Sequence, residues 1–123
     1  MVQEHVLAAI PSDSLAIYVV WEPMLQTDTK RSSWKATALF PDKRVRNYWV
    51  GTTGVGEIFQ KPIDLTTEPA WDVYLVYRPG VRWTEDSPPH PQFFMHQLRG
   101  RLPDSLRFDG PRLASSIRDV LSR

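Results

Sequence analysis

The chain contains no cysteine. Disulfide bonds, thiolate nucleophiles, dithiol redox chemistry and cysteine-ligated zinc are therefore excluded by composition. Long apolar runs are also missing, and no stretch approaches the roughly 20 residues that a membrane-spanning helix needs. The opening residues hold Glu4 and His5 but no basic cluster, which differs from a signal peptide. We therefore expect a cytoplasmic protein that does not associate with a membrane.

An excess of charge of either sign is missing as well. The 123 residues carry a formal net charge of +1, too little for a global field that would attract nucleic acid or an anionic membrane. The charge is uneven, because 30–46 holds six lysines and arginines against Asp42 alone. This basic stretch, which includes Trp34, could bind phosphates and stack a base. A solvated helix face is the commoner explanation of such a run, so nucleic acid is a disfavoured partner.

What the sequence does have is a heavy aromatic load. It contains five tryptophans, four tyrosines and five phenylalanines, with 41% hydrophobic and 24% charged residues overall. These proportions are typical of a globular protein, and the length predicts a single domain over 1–123. A domain of this size has limited room to bury so many large side chains. We therefore expect some of them to form an exposed apolar patch of the kind found at interfaces.

The sequence 69–83, PAWDVYLVYRPGVRW, predicts the strand around which the rest of the chain packs. Alternate residues from 71 to 77 point to opposite faces, and both faces are largely apolar or aromatic. Such a strand is expected to be covered on both sides, as in the interior of an α/β sheet. Pro79 and Gly80 predict a turn, after which 81–83 would return as a short antiparallel partner at a sheet edge.

Shorter signals predict the other elements. An apolar run at 14–21 indicates a buried strand, and alternation at 44–50 indicates a half-buried strand with Val45 and Trp49 on one side. The leading segment 4–10 fits either a helix turn or an edge strand, and the apolar segment 93–98 fits no single type. Helices are expected at 30–40, after the glycine-rich turn 51–56, and from Asp109 onward, where 113, 117, 120 and 121 form an apolar stripe.

The order of these elements is strand, helix, strand, helix, strand, strand, helix. A parallel βαβ unit followed by an antiparallel hairpin and a covering helix gives one sheet with strands of both directions. We therefore predict an α/β fold in which a central mixed sheet of about four strands is flanked by helices.

This order resembles that of the thioredoxin-like superfamily, and particular residues match it. Trp21 ends a strand just before a helix, where thioredoxins carry the redox loop, and Pro69 precedes the next central strand, where the family keeps a cis-proline. Pro79-Gly80 matches the hairpin turn, and 113–121 matches the terminal helix. The motifs VVWEPML, RVRNYWV, PAWDVYLVY and FFMHQL also resemble a set of small, uncharacterised bacterial proteins of this fold.

The chain departs from thioredoxins at the redox loop. Where that family has Trp-Cys-x-x-Cys, residues 21–26 are WEPMLQ, so no thiol can attack or resolve a disulfide. The resemblance implies a thioredoxin-like scaffold from Ser14 onward and a cis Glu68–Pro69 bond. It does not imply thiol–disulfide exchange, which the chemistry of the loop excludes.

The crevice at the carboxyl ends of the strands is the first candidate site, because open α/β sheets bind ligands there. Glu22 and Asp28 are candidate carboxylate groups for a partner, and Met24 is a candidate soft contact. The alternative is that Asp28 caps the following helix and Met24 packs in the core. The residues of this candidate crevice are Trp21, Glu22, Pro23, Met24, Asp28, Pro69 and Asp72.

Asp72 is the second candidate, because it lies inside the predicted buried strand. A carboxylate in that position would be desolvated, which would raise its pKa and suit it to acid or base chemistry. The alternative is a structural ion pair or a hydrogen bond to a loop N–H, which perturbs a pKa as well.

The remaining motifs carry no specific chemistry. The glycines of GTTGVG at 51–56 match neither a dinucleotide fingerprint nor a phosphate loop. His90 and His96 are six residues apart and form no metal-binding pattern, so they are expected at the surface or in the core. The serines lack a nucleophile motif. We expect no catalytic motif, no metal and no cofactor.

Two functions from different classes follow from these observations. The first is a binding or protein-interaction module without redox activity, whose partner is an unknown protein or small molecule. The second is a cofactor-free enzyme that uses Asp72 or Glu22 as acid or base in the crevice. We also expect a homodimer through the predicted hairpin and 93–95, since Trp83 and its aromatic neighbours would lie at an exposed sheet edge.

Overall fold

The computed structural model describes residues 2–24, 29–32, 41–84 and 86–122. Within these ranges the chain forms four strands and two α-helices, joined by short helical turns. The strands are β1 (Ile17–Trp21), β2 (Val45–Trp49), β3 (Val73–Val76) and β4 (Phe93–His96). The helices are α1 (Gly54–Ile58) and α2 (Gly110–Leu121), and the single turns are Gln3–Leu7, Lys61–Ile63 and Asp104–Leu106. Residues 30–32 are helical, and the rest of the helix predicted at 30–40 lies outside the described residues.

Strands β1 and β2 pair in parallel, from Ile17 with Val45 to Trp21 with Trp49. The predictions of two strands here are confirmed, and so is the half-buried side of β2. The prediction that β1 is buried on both faces is wrong. Tyr18 is 63% exposed and Val20 is 42% exposed, so β1 is covered on one face only. An apolar run cannot distinguish a strand covered on both faces from one covered on a single face.

Strand β3 pairs with β4 in antiparallel fashion, from Val73 with His96 to Val76 with Phe93. The turn at Gly80 forms, with φ at 82°, but the predicted return strand at 81–83 does not. Both faces of β3 are apolar, and a partner with the sequence Val-Arg-Trp would place Arg82 on one of them, where an unpaired charge is costly. The segment that pairs instead is apolar over three positions and ends in a hydrogen-bonded histidine.

The strands form two separate two-stranded sheets among the described residues. The protein is therefore of mixed α/β class, and the described residues do not form the predicted central sheet of about four strands. The predicted cis bond before Pro69 is also wrong, because no peptide bond in the described part of the chain is cis. Contacts of Glu68 secure the trans segment: its carbonyl accepts from Gln60, and its carboxylate accepts from the Trp71 indole and binds Arg101.

Two groups of buried side chains make up the interior. Helix α2 and the N-terminal turn pack over one side of the strands, and the segments before β3 and after β4 pack over the other. The first core cluster consists of Val6, Ile10, Met95, Leu113, Ala114 and Ile117. The second core cluster consists of Ile63, Leu65, Ala70, Leu98 and Leu102. Strand β3 contributes to both, with Tyr74 and Val76 on the first and Val73 and Leu75 on the second.

Helix α2 forms as its sequence predicts. Asp109 is the N-cap, and its carboxylate accepts a 2.9 Å hydrogen bond from the backbone N–H of Arg112. Proline at the first helical position fits because its missing N–H has no partner there in any case. Leu113, Ile117 and Val120 are at least 92% buried, so the apolar stripe faces the first core cluster.

His96 is fully buried at the end of β4 and holds the segment that follows. Its Nδ1 accepts a 3.0 Å hydrogen bond from the Leu98 N–H, which places the proton on Nε2. Nε2 then donates to the Pro103 carbonyl at 2.7 Å. The His96 carbonyl accepts from the Phe108 N–H at 2.8 Å. The sequence predicted a histidine at the surface or in the core, and His96 lies in the core.

Arg44, just before β2, joins three segments through its guanidinium group. Nε and one terminal nitrogen form a fork on the Asp42 carboxylate, at 3.0 and 2.7 Å. The same group donates to the carbonyls of Leu7, Ile10 and Ser12. These carbonyls lie at the end of the N-terminal turn and in the connection to β1. Arg44 is therefore structural, although the sequence grouped it with a basic stretch that could bind phosphate.

We expect replacement of Asp42 by asparagine to remove a pH-dependent part of the stability. Hydrogen bonds from the Arg44 side chain and backbone lower the pKa of Asp42 from its ordinary 3.8 to about 2. A carboxyl whose pKa is lower in the folded state stabilises the protein above its unfolded pKa, and this stabilisation is lost as pH falls. The loss should therefore occur between about pH 4 and pH 2.

The measurement is the melting temperature from pH 7 to pH 2, followed by circular dichroism. Asp42→Asn should melt lower at pH 7, and its curve should be flatter below pH 4. Asp119→Asn, at an exposed position of α2, is the control and should follow the original chain. Equal curves for the two variants would contradict a stabilising role of the fork.

Candidate functional site

The end of β1 and the approach to β3 meet at helix α1. Glu22 directly follows β1, and its Oε1 accepts a 2.6 Å hydrogen bond from the Gly56 N–H. The Gly56 carbonyl accepts a 2.8 Å hydrogen bond from the Ala70 N–H. Glu22 and Ala70 are far apart in sequence, and Gly56 joins them through both sides of its own backbone. This contact brings the Trp21 loop close to the Pro69 segment, as the candidate crevice requires.

Glycine is needed at position 56 because the two neighbours approach so closely. A Cβ at this position would lie 2.5 Å from the Ala70 carbonyl oxygen and 2.9 Å from Oε2 of Glu22. Real Cβ atoms do not come this close to backbone oxygen. Gly56 and Ala70 were absent from the predicted site. A signal existed in the glycine of GTTGVG, which indicates close backbone approach as well as a turn.

Glu22 is held partly out of water by this arrangement. Burial raises the pKa of its carboxyl, the hydrogen bond from the Gly56 N–H lowers it in part, and the nearby charge of Glu57 raises it further. The net direction is upward. Glu22 therefore acts first as an acceptor that ties β1 to α1, with a carboxyl that takes up a proton more readily than a free one.

The other residues of the candidate crevice have structural contacts or are half-buried. The Trp21 indole N–H donates to the Asn47 side-chain carbonyl at 3.0 Å, across the β1–β2 pair. Pro23, Met24 and Pro69 are half-buried. Asp28, which the sequence offers as a partner carboxylate or a helix cap, lies outside the described residues.

Asp72 is not inside a buried strand, which corrects the sequence prediction. It directly precedes β3 with φ at 49°, and the residue is exposed. Partial burial of its carboxyl raises the pKa, and its charge contributes to the raised pKa of the neighbouring Tyr74. Among the described residues nothing forms a hydrogen bond or ion pair with this carboxylate. No hydrogen bond or ion pair in this part of the chain joins Asp72 to Glu22, so the two carboxyl groups do not form an acid–base pair.

A second surface, which the sequence did not single out, lies on the uncovered side of β1 and β2. We call it the tyrosine face. Tyr18 and Tyr48 stack with ring centroids 6.4 Å apart and planes inclined by 24°. Val20 pairs with Tyr48 and Arg46 with Tyr18 in the same register. The alternation within 17–21 and 45–49 could have revealed this surface, had burial on one side been assumed. The tyrosine face consists of Tyr18, Val20, Arg46 and Tyr48.

A shallow cleft of about 230 Å³ lies beside the proline-rich loop. His90, at its rim, forms a 2.9 Å hydrogen bond between Nδ1 and the Pro62 carbonyl. Over the described ranges, no set of three or more histidine, aspartate or glutamate side chains is placed to hold a metal ion. The lining residues are Lys61, Pro62, Ser87, Pro88, Pro89 and His90.

Comparison with known proteins gives no relative: no family model, no curated protein and no solved structure matches this chain. Among the helices described, none has both the length and the apolar character needed to cross a membrane.

Adding one methyl group at position 56 should test the packing of Gly56 between Glu22 and Ala70. We expect Gly56→Ala to lower the free energy of unfolding by about 1–3 kcal/mol, the usual cost of overpacking. The control is Gly51→Ala, because a Cβ at Gly51 meets nothing within 4 Å. Both are measured by urea unfolding. Equal stability of the two variants would contradict the packing of Gly56 between Glu22 and Ala70.

Proposed function

We propose that the chain is a protein-interaction module on a thioredoxin-like scaffold, without redox activity. The observation that carries the proposal is the tyrosine face. The absence of cysteine supports the second part, because no thiol is present to exchange with a disulfide.

The composition of the tyrosine face suits a protein partner. Its three apolar or aromatic members are 63%, 42% and 48% exposed, in the order Tyr18, Val20 and Tyr48. Tyrosine offers a large apolar ring for burial and a hydroxyl for a hydrogen bond, which is why it is enriched at interfaces. Arg46 is exposed beside Tyr18, and a charged residue at the margin of an apolar patch is typical of an interface rim.

The homodimer remains a proposal, but its surface changes. The sequence placed the contact at the predicted hairpin, with Trp83 at its edge, and at 93–95. Met95 is fully buried in the first core cluster, and Phe93 and Phe94 pack against the two core clusters. Trp83 is half exposed. The segment 93–95 is therefore interior, and we propose the tyrosine face as the surface for a second copy.

Photo-crosslinking in cells tests the module directly. A photoreactive phenylalanine replaces Tyr18, and we expect a discrete covalent adduct that mass spectrometry can identify. Val20→Ser in the same chain should weaken the adduct severalfold, since it removes an apolar contact at the centre of the face. Val81→Ser is the matched control, because Val81 is 41% exposed, almost as Val20 is, and lies off the face.

Equal adducts in the two serine variants would contradict binding through the tyrosine face. An adduct whose mass is twice that of the chain would identify the partner as a second copy. The absence of any adduct at position 18 would contradict the proposed function.

A cofactor-free enzyme is the second candidate, and the raised pKa values of Glu22 and Asp72 favour it. NMR titration of the side-chain carboxyls measures both. We expect the pKa of Glu22 to lie above its ordinary value of 4.5 and that of Asp72 to lie above 3.8. If Asp72 were a catalytic base, Asp72→Asn would abolish a pH-dependent turnover. Titration of both groups at or below the ordinary values would remove the basis for this candidate.

Nucleic acid is the partner class with the least support. Arg44 is one of the six basic residues of 30–46, and its side chain is only 10% exposed. Its guanidinium group already binds the Asp42 carboxylate and three backbone carbonyls. The net charge of +1 gives no compensating field.

A further inference from the structure

Asp72 has an unusual backbone conformation for a residue that precedes a strand. Its φ of 49° lies in the left-handed region, which residues other than glycine adopt only at a cost. In the described part of the chain, the other non-glycine residue with positive φ is Asp64, which ends a helical turn, a common place for it. Asp72 instead directly precedes β3. Such a conformation persists only where neighbouring groups hold it, and it is frequent at binding sites.

The residue that holds Asp72 is Gln97, which lies opposite it across the β3–β4 pair. Strand pairing places Val73 against His96, and the Gln97 N–H donates to the Asp72 carbonyl at 2.9 Å. The pairing therefore continues for one residue beyond the two strands. This bond fixes the position of Asp72 at the end of the sheet.

The side chain of Gln97 also binds Tyr74. Its Nε2 donates to the Tyr74 hydroxyl at 2.5 Å, which leaves the amide oxygen Oε1 as an acceptor with no partner among the residues described. The Tyr74 ring packs on Phe108, with centroids 4.6 Å apart and planes inclined by 32°. Both of these residues are half-buried, so part of each stays accessible. We call the following residues the Asp72 cluster: Asp72, Tyr74, Gln97 and Phe108.

The carboxylate of Asp72 lies near the Tyr74 phenol and has no partner of opposite charge. Burial raises the pKa of Tyr74, and the charge of Asp72 raises it further. Partial burial also raises the pKa of Asp72 itself. Within the described ranges this carboxylate forms no hydrogen bond and no ion pair. The Asp72 cluster therefore combines a partly dehydrated anion, an unused amide oxygen and an apolar wall made of two rings.

Three arginines near β4 in the sequence are engaged or directed elsewhere. Arg101 binds a carboxylate, and Arg112 donates to a backbone carbonyl and lies over an aromatic ring. Arg107 is in register with His96, so its side chain lies on the face opposite that of Gln97. None of the three supplies the cation that the Asp72 cluster lacks.

We propose that the Asp72 cluster binds an organic cation with a primary ammonium or guanidinium group. The N–H groups of the cation bond to the Asp72 carboxylate and to Oε1 of Gln97. The carbon atoms next to the charge lie against the rings of Tyr74 and Phe108. This site shares no residue with the tyrosine face, and the inference does not rest on the proposed function.

The donor and acceptor groups of the Asp72 cluster favour such a cation over a metal ion. Calcium takes about six to eight oxygen ligands, whereas the cluster offers one carboxylate and one amide oxygen. A group of three or more acidic or histidine side chains that could hold a metal is not found in the part of the chain described. An ammonium or guanidinium group needs only hydrogen-bond acceptors, and nearby aromatic rings favour it further.

The experiment is an NMR titration of the full chain with two probes that differ in charge. The first is 2-phenylethylamine in its ammonium form, and the second is 2-phenylethanol, which is uncharged and of nearly the same shape. We expect the amine to shift the amide signals of Asp72, Val73 and Gln97. Its dissociation constant should be about fivefold lower than that of the alcohol, the contribution of one partly exposed ion pair. Equal affinities would overturn the inference.

Two substitutions change the charge of the Asp72 cluster in opposite directions. We expect Asp72→Asn to weaken amine binding to about the level of the alcohol, and Gln97→Glu to strengthen it about two- to fivefold by adding a carboxylate. Asp119→Asn, at an exposed position of α2, is the control and should bind as the original chain does. A purely structural cluster would change the melting temperature of the first two variants and leave the preference for the amine unchanged, which would contradict the proposal.

Titration of the free chain tests whether a cation of the chain itself already occupies the site. A lysine or arginine of the same chain would lower the pKa of Asp72 below its ordinary 3.8, and this result would overturn the inference. For an open site we expect the pKa of Asp72 to lie above 3.8 in the free chain. It should then fall when the amine saturates the site, because a bound cation favours the ionised carboxyl.

A third probe distinguishes the two sources of such a cation. A free amine and a lysine side chain of a polypeptide carry the same charge and the same N–H donors. Acetyl-lysine methylamide, with its side-chain ammonium group intact, represents the polypeptide. Tighter binding of this probe than of 2-phenylethylamine would assign the site to a polypeptide side chain, and the reverse order would assign it to a free aromatic amine. Either order supports the cation site, whereas binding of neither ammonium probe would overturn it.

Discussion

The guanidinium group of Arg44 is the constraint on which the arrangement of the first half of the chain depends. It fixes the N-terminal turn through Leu7, the connection to β1 through Ile10 and Ser12, and the approach to β2 through Asp42. The backbone carbonyl of Arg44 accepts a hydrogen bond from the N–H of Ile17, the first residue of β1. A single planar donor set therefore satisfies carbonyls that would otherwise be left without partners where a helical turn ends.

The second half of the chain is organised by burial on both faces of β3. Two core clusters meet at this strand, and β4 covers one of its edges. His96 then orders the chain that leaves β4, through bonds to the Leu98 N–H and the Pro103 carbonyl. The two halves share the first core cluster and the contact of Glu22 with Gly56. Among the described residues they do not share a hydrogen-bonded ladder.

Sequence patterns predicted the local elements well where one segment contains the whole signal. The Asp109 cap, the proline after it and the apolar stripe of α2 all lie within a few residues of one another. The candidate crevice stays a prediction, although Glu22 does approach the Pro69 segment through Gly56. Asp72 was misplaced, because an alternating pattern at 71–77 does not reveal a residue with positive φ. Asp72 has this conformation, and β3 begins at the next residue, Val73. Arg44 was also misassigned, because its charge suggests solvent while its partners are up to 37 residues away.

The sequence by itself determined that no thiol chemistry is available, where β1, β2 and α2 form, and which strand is apolar on both faces. Those properties depend on composition or on neighbours along the chain. The tertiary structure decided that β3 pairs with 93–96 rather than 81–83, that the strands divide into two sheets, and that β1 exposes Tyr18 and Val20. These outcomes depend on which distant segments bury the most apolar surface without burying an unpaired charge, and periodicity within one segment carries no information about that competition.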